Sequence, residues 1–297
     1  MNVNIGITGH GGFIGGSVFR AVRDAGHSAI PLDDFTRSLT FEDNETVEYP
    51  AALDWVLHFG AKTSIRDGYD HPYETYANYI GSTLVALRIA QHSHAAFLFM
   101  SSYVYGRPRY VPIDEKHPIT AVNPYMGSKI IGEEICRQMC DMERIPAVIL
   151  RGFNIFGDHY IAGRLICDLL DAVRWGKTIH LNDSAPLRDY LYIKDFIGLI
   201  MRIIAQAPVK TGTYNVGYGQ SYSNLEVAEL VMRLTNRKLP LIVQSDPRPN
   251  DIPDCSVDSS LIKQTFSWEP EYPLQRALSE LIADIQSGRT NGPSQQD

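Results

Sequence analysis

The run Thr8-Gly9-His10-Gly11-Gly12-Phe13-Ile14-Gly15 constrains this chain more than any other because of what flanks it. Val3, Ile5 and Ile7 precede it at alternate positions, and Phe13, Ile14, Val18, Phe19 and Val22 follow at helical spacing. The segment therefore reads as a strand, a glycine turn and a helix start. Gly9 permits the tight turn. Gly12 lets the first N–H groups of the helix, those of Phe13 and Ile14 among them, approach a pyrophosphate, and Gly15 lets helix and strand lie close. A second apolar run, Ala29-Ile30-Pro31-Leu32, ends at Asp33 and Asp34. A carboxylate at that place accepts hydrogen bonds from an adenosine ribose and repels a 2′-phosphate, so NAD is the expected dinucleotide. Arg37 keeps NADP open, since a guanidinium is the usual phosphate partner.

A third apolar run, Phe97-Leu98-Phe99-Met100, ends in Ser101-Ser102-Tyr103. Ligands of open parallel sheets sit beyond the carboxyl ends of strands, so Ser101 or Ser102 is placed toward the dinucleotide crevice. A serine pair after a strand otherwise serves as a turn or helix cap. In Asn123-Pro124-Tyr125-Met126-Gly127-Ser128-Lys129, a phenol and an ammonium stand four residues apart and share a helix face. A unit charge about 4 Å from a phenolate is worth roughly 4 kcal/mol at an effective dielectric of about 20, which lowers a tyrosine pKa and makes a base usable near neutral pH. The spacing alone also arises by accident; it gains weight from the glycine turn and the serine pair.

Strands at about 3–8, 28–32, 54–58, 96–101 and 146–151 alternate with helices at about 13–25, 74–92 and 125–143. The fold class is α/β: a Rossmann-type doubly wound parallel sheet with a smaller α/β substrate lobe toward the C-terminus. The expected division is a dinucleotide-binding domain over 1–157, a substrate lobe over 158–187 and 218–287, and a mobile tail over 288–297. In the lobe, 161–175 and 223–235 read as helices, 179–181 and 239–243 as short strands. A net charge of −7 argues against nucleic acid and acidic membranes as partners. No leader precedes Val3 and no apolar stretch is long enough to span a bilayer, so a cytoplasmic protein is expected. Cys136, Cys140, Cys167 and Cys255 are too scattered for a disulfide framework and read as reduced core thiols. Of His58, His71, His92, His94 and His159 none forms a ligand pair, and no metal is expected. His58 reads as a strand-end histidine near the dinucleotide.

With these pieces, the chain resembles the extended short-chain dehydrogenase/reductases of the NAD-dependent epimerase/dehydratase group, which modify nucleotide sugars. The resemblance spans about 3–283 and includes His58-Phe59-Gly60-Ala61, Asn78 with Gly81-Ser82, Ser101 through Gly106, Leu150-Arg151-Gly152-Phe153-Asn154-Ile155-Phe156-Gly157, Arg188-Asp189-Tyr190, Tyr214-Asn215-Val216-Gly217 and Arg248-Pro249-Asn250-Asp251. It implies a catalytic triad of Ser101, Tyr125 and Lys129, with Phe59, Gly60 and Ala61 beside the cofactor. Asn78 would be a structural or proton-relay residue. The substrate, a nucleotide-diphosphate sugar, would meet Ser101, Ser102, Tyr103 and Asn154, and Arg188 and Arg248 would hold its diphosphate. The resemblance also implies that Tyr190-Leu191-Tyr192-Ile193 and the helix after it return, within 188–217, to the dinucleotide sheet. A homodimer is implied through the helices near 78–92 and 125–143, with Ile130, Ile131, Ile135 and Met139 as apolar area.

Departures from the family pattern narrow the chemistry. Members that eliminate water look to carry acids where this chain has Ser102 and Tyr103, which make a poor base and acid for that step. His10 and the Tyr103-Val104 pair are similar to reductases of 4-keto sugars, and the stretch from Asp33 to His58 is short for an epimerase. The favoured reading is an NAD-dependent nucleotide-sugar 4-epimerase working through a 4-keto intermediate. The alternatives are an NAD(P)H-dependent 4-keto-6-deoxy-sugar reductase and a non-catalytic dinucleotide sensor; the sensor would have no need of a phenolate base.

Overall fold

Strands that are apolar along their whole length need cover on both faces, and a parallel sheet with helices on each side supplies it. The computed structural model describes residues 2–37, 50, 52–61, 65–158, 163–244 and 251–287; of residues 36, 37 and 65–67 it describes the backbone alone. The tail over 288–297 lies outside the described residues. β1 (Asn4–Thr8) leads through the glycine turn to α1 (Phe13–Asp24). Then come β2 (Ser28–Pro31), the short α2 (Asp33–Arg37), β3 (Trp55–His58), α3 (Ile65–Asp70) and α4 (Pro72–Ser93). β4 (Ala96–Ser102), α5 (Pro124–Glu143) and β5 (Ala147–Gly152) complete the first half.

The main sheet is parallel, in the order β2-β1-β3-β4-β5 with one later strand beyond β5. The side-chain period of two sorts its residues. Leu57, Leu98, Met100, Val148 and Leu150 pack on one face with Val18 and Val22 of α1. Val56, Phe97, Phe99 and Ile149 pack on the other with Ala86, Leu87 and Ala90 of α4 and Cys136 and Cys140 of α5. Full burial of one such aliphatic or aromatic side chain stabilises by roughly 1.5–3 kcal/mol, so both faces anchor the sheet. All four cysteines are free and buried. The strand order reverses at β1, whose neighbours are β2 on one side and β3 on the other, which opens a crevice at their carboxyl ends, where the glycine turn lies.

The second half comprises β6 (Asn154–Phe156), α6 (Leu165–Trp175), β7 (Ile179–Leu181), β8 (Leu187–Tyr192), α7 (Ile193–Ala205), β9 (Gly212–Val216), β10 (Ser221–Ser223), α8 (Asn224–Leu234), β11 (Leu241–Val243), β12 (Asp254–Cys255), α9 (Ser260–Phe266) and α10 (Leu274–Gln286). Its connection to the main sheet differs from the sequence expectation. β8 is the hub of a separate sheet, paired with β10, β12 and β6. The strand that joins the main sheet is β9, which pairs with β5 from Val148↔Gly212 to Gly152↔Val216. α7 follows the expectation, its Phe196, Leu199 and Ile203 sharing the core of α1, and β9 makes the return to the main sheet within 188–217, so only the strand that makes it differs. An apolar run shows that a strand is buried but not which sheet edge it completes, and the edge beside β5 is taken by Gly212–Val216.

Candidate active site

The glycine turn is shaped by contacts that leave no room for side chains. Gly9 has φ +70°, in the left-handed region, and a Cβ there would lie 2.9 Å from the carbonyl carbon of Phe59. A Cβ on Gly15 would lie 2.2 Å from the Gly9 carbonyl oxygen. The turn closes with the Gly12 N–H donating to that same oxygen at 2.9 Å. α1 opens at the N-cap Gly12, which has no side chain to cap the helix. Such a start is an anion site, and this cradle fits a dinucleotide pyrophosphate. Beside it is a cleft of about 280 Å³ lined by His10, Gly11, Gly12, Phe13, Gly16, Ser17, Arg20 and Asp158. Arg20 and Asp158 were not marked by sequence reading. Phe13, Gly16, Ser17 and Arg20 recur at helical spacing, a signal that could have found Arg20.

Asp33 faces the turn. Its carboxylate accepts from the Gly9 N–H at 2.5 Å, from the His10 N–H at 3.1 Å and from the His10 ring. These bonds tie the end of β2 to the turn, with Asp34 exposed beside it. The Arg37 side chain lies outside the described residues. Ile14, Phe59 and Ala61 are half-buried near the turn, while Gly60 is buried and donates its N–H to Thr8 Oγ1 at 3.1 Å. His58 is fully buried between two threonines, with Nδ1 2.8 Å from Thr8 Oγ1 and Nε2 3.2 Å from Thr83 Oγ1. Burial, aided by the Lys129 charge, pushes its pKa down to about 3, so it is a neutral structural imidazole.

The Tyr125/Lys129 pair is set by the start of α5. The Asn123 side chain accepts the Met126 N–H at 2.8 Å, and Pro124 occupies the first turn. Lys129 is buried and donates to the Met100 carbonyl at 2.7 Å, with Nζ 4.4 Å from the centroid of the Tyr79 ring. Burial lowers its pKa to about 7. Tyr125 departs from the expectation of a lowered pKa. Burial pushes its phenol upward, opposed by hydrogen bonds from Ser102 and Tyr79 and by the charge of Arg164. The Lys129 ammonium is directed at the Met100 carbonyl instead, and so does not act as the phenol's main counter-charge.

Ser101 and Ser102 diverge. Ser101 shares the strand face of Phe97 and Phe99, and its hydroxyl donates to Glu133 Oε1 at 2.6 Å. Glu133 is itself fully buried and ion-paired to Arg151 at 2.7 Å. Arg151 also donates to the Tyr105 hydroxyl at 3.0 Å, which donates in turn to Asn215 Oδ1 at 2.5 Å. Ser102, half-buried at the carboxyl end of β4, is the serine that opposes the upward push of burial on Tyr125. The sequence carried unused signals for this network. Tyr125, Lys129 and Glu133 stand at i, i+4 and i+8 of one helix, and Arg151 interrupts an apolar strand, which demands a buried partner.

Tyr103 is buried edge-on to Phe153 at 5.3 Å and Tyr105 at 5.6 Å, with its hydroxyl donating to the Gly106 carbonyl at 2.6 Å. Burial pushes its pKa well up. Asn154, half-buried, donates to the Asp189 carbonyl at 3.0 Å. Arg188 is ion-paired to Asp251 at 2.7 Å and donates to the Ile252 carbonyl at 2.7 Å. Next to it, the Asp189 carboxylate accepts the Tyr218 and Gly219 N–H groups, each at 2.7 Å, and burial raises its pKa to about 6. Asn78 is exposed on α4. Arg248 and His159 lie outside the described residues. Among the described residues no His, Cys, Asp or Glu cluster could hold a metal ion, and no helix is long and apolar enough to cross a membrane.

Fold and site together define a doubly wound dinucleotide-binding protein with a helix-borne Tyr/Lys pair at the carboxyl edge of its sheet. The NAD dependent epimerase/dehydratase family is matched over residues 5–217, and the chain belongs to that family. UDP-glucose 4-epimerase from Mus musculus is 26% identical over 331 residues, covering 93% of this chain and 94% of that protein. Among solved structures, RMD from Pseudomonas aeruginosa complexed with NADPH has a TM-score of 0.84 at 23% identity, covering 97% of this chain and 100% of that one. UDP-glucose 4-epimerase from Thermotoga maritima with UDP-glucose has a TM-score of 0.83 at 21% identity, covering 96% and 99%.

Proposed function

We propose that this chain is an NAD-dependent 4-epimerase of UDP-sugars that works through a transient 4-keto sugar. The observation that carries the reading is the Tyr125 phenol, beside Ser102 and one helical turn from Lys129, on a fold whose first helix opens at a glycine cap behind the glycine turn. The mouse and Thermotoga relatives that match nearly end to end are 4-epimerases, which favours this chemistry over a one-way reductase.

Bound NAD would take hydride from C4 of the sugar and return it to the other face. The protein's part is proton handling and grip. Tyr125 takes the C4 hydroxyl proton as base and gives it back as acid, and Ser102 hydrogen-bonds the same oxygen. In its charged form Lys129 places a positive charge near the phenolate, which favours ionisation of the base. The first-turn N–H groups of α1 would hold the pyrophosphate of NAD, with Gly9, Gly12 and Gly15 giving it room, and Asp33 would accept from the adenosine ribose. Arg188 would hold the sugar's diphosphate while the keto sugar turns, a role the sequence also gives to Arg248. We assign the hydroxyl role to Ser102 rather than Ser101, because Ser101 is bonded to Glu133.

Incubation of UDP-glucose or UDP-galactose with enzyme and NAD, followed by NMR, should show the two epimers approaching equilibrium without net NADH. Steady NADH oxidation on a nucleotide-linked 4-keto-6-deoxy sugar, with no epimerisation of any UDP-sugar, would replace this reading with the reductase. We further infer a homodimer through α4 and α5, supported by exposed Ile131 and partly exposed Ile130, Ile135 and Met139. Light scattering that gives a monomer at micromolar protein would remove it.

A further inference from the structure

Tyr79 touches both members of the Tyr125/Lys129 pair, and no sequence pattern singled it out. It lies in α4 at 3% exposure. Its ring centroid is 4.4 Å from Lys129 Nζ and 5.9 Å from the Tyr125 ring, to which it stands edge-on at 71°. Its hydroxyl is among the neighbouring groups that oppose the upward push of burial on the Tyr125 phenol.

The backbone of Tyr79 is fixed by a directed chain of hydrogen bonds. The Thr83 hydroxyl donates its one proton to the Tyr79 carbonyl at 2.7 Å. Thr83 Oγ1 can then only accept from His58, so Nε2 carries the imidazole proton and Nδ1 accepts from the Thr8 hydroxyl. Thr8 Oγ1 accepts in turn from the Gly60 N–H, in the loop that packs against Gly9. Tyr79 is thus held from the dinucleotide side through its main chain and meets the reacting side with its phenol.

We propose that Tyr79 is a positioning residue for the base: its hydroxyl donates to the ionised Tyr125 phenol, and its ring face holds the Lys129 ammonium beside it. This rests on Tyr125 being the base of the proposed reaction. A buried phenolate needs donors, and Ser102 supplies one. Tyr79 supplies the second. The ring face alone would attract the ammonium in a phenylalanine as well, so the two roles separate on a single atom.

Tyr79→Phe removes the donor and keeps the ring. A lost donor destabilises the phenolate, so the pH below which kcat/KM falls should rise by about one unit. Turnover should then drop roughly tenfold on the acid side of that limb and recover above it, with thermal unfolding little changed. A ring-fluorinated tyrosine at position 79, a stronger donor of nearly the same shape, should move the limb the opposite way. A limb that stays put in both variants, or a loss equal at every pH, would overturn the proposal.

The tyrosinate absorbance of Tyr125, isolated as wild type minus Tyr125→Phe in excess NAD without sugar, gives a second readout. Its midpoint should rise by about one unit when Tyr79→Phe is added to both proteins. That titration needs no turnover. If no UDP-sugar is epimerised the functional reading falls, while an unmoved midpoint removes the role of Tyr79 by itself.

Discussion

The glycine turn and the phenol site are held together by different kinds of contact. At the turn, backbone meets backbone: Gly12 bonds Gly9, Gly15 lies against the Gly9 carbonyl, and Asp33 gathers the N–H groups of Gly9 and His10. At the phenol, side chains from elements far apart in sequence converge: Tyr79 from α4, Ser102 from β4 and Arg164 from the entry to α6. The first arrangement is written into one short segment plus one carboxylate. The second depends on packing angles between helices and strand, so single side chains can change partner without any change in the local pattern.

This contrast gives the largest expected effect. Tyr125→Phe should lower turnover by about 10²–10⁴ while NAD binding by calorimetry stays near wild type, because the phenol takes no part in the turn's contacts. Near-normal turnover would take Tyr125 out of the mechanism. Loss of NAD binding together with turnover would mean that the two regions are not separable.

The same contrast explains what could be read from the sequence. Strand–turn–helix order, the glycine offsets and Asp33 are local or nearly so, and each of β1 to β5 falls within a residue or so of its expected place. The Tyr125/Lys129 spacing was legible for the same reason, since one helix carries both. What escaped needs the third dimension. Nothing in the strand sequence Leu187–Tyr192 tells whether it pairs with β5 or with β6, and the structure gives that edge of β5 to β9. Tyr79 lies on the buried face of α4, where an aromatic residue looks like ordinary core until Lys129 and Tyr125 are seen against it.

A smaller effect probes the turn from its own side. Gly15→Ala would place a Cβ 2.2 Å from the Gly9 carbonyl oxygen, so α1 must move off β1 or the turn must open. Overpacking of this kind destabilises by about 1–3 kcal/mol. Thermal unfolding should record that loss, and NAD should bind more weakly because the first-turn N–H groups shift with the helix. An unchanged melting temperature and unchanged NAD affinity would show that the turn is more pliable than its contacts suggest.

The smallest effect separates two neighbouring serines. Ser102 meets the Tyr125 phenol, and Ser101 donates to Glu133. Ser102→Ala removes a donor to the phenolate and to the substrate oxygen, so turnover should fall roughly tenfold with little change in unfolding temperature. In Ser101→Ala, Glu133 Oε1 still accepts the Arg151 Nε–H at 2.9 Å and Oε2 still pairs with Arg151 and Arg137, so no buried charge is stranded. The loss is one buried hydrogen bond, about 0.5–1.5 kcal/mol of stability, with turnover nearly kept. The opposite ranking, a crippled Ser101→Ala beside an active Ser102→Ala, would return the substrate hydroxyl contact to Ser101. It would also require Ser101 to leave Glu133 when the sugar binds, making the Glu133 to Arg151 pair the resting partner of a serine that moves in the catalytic cycle.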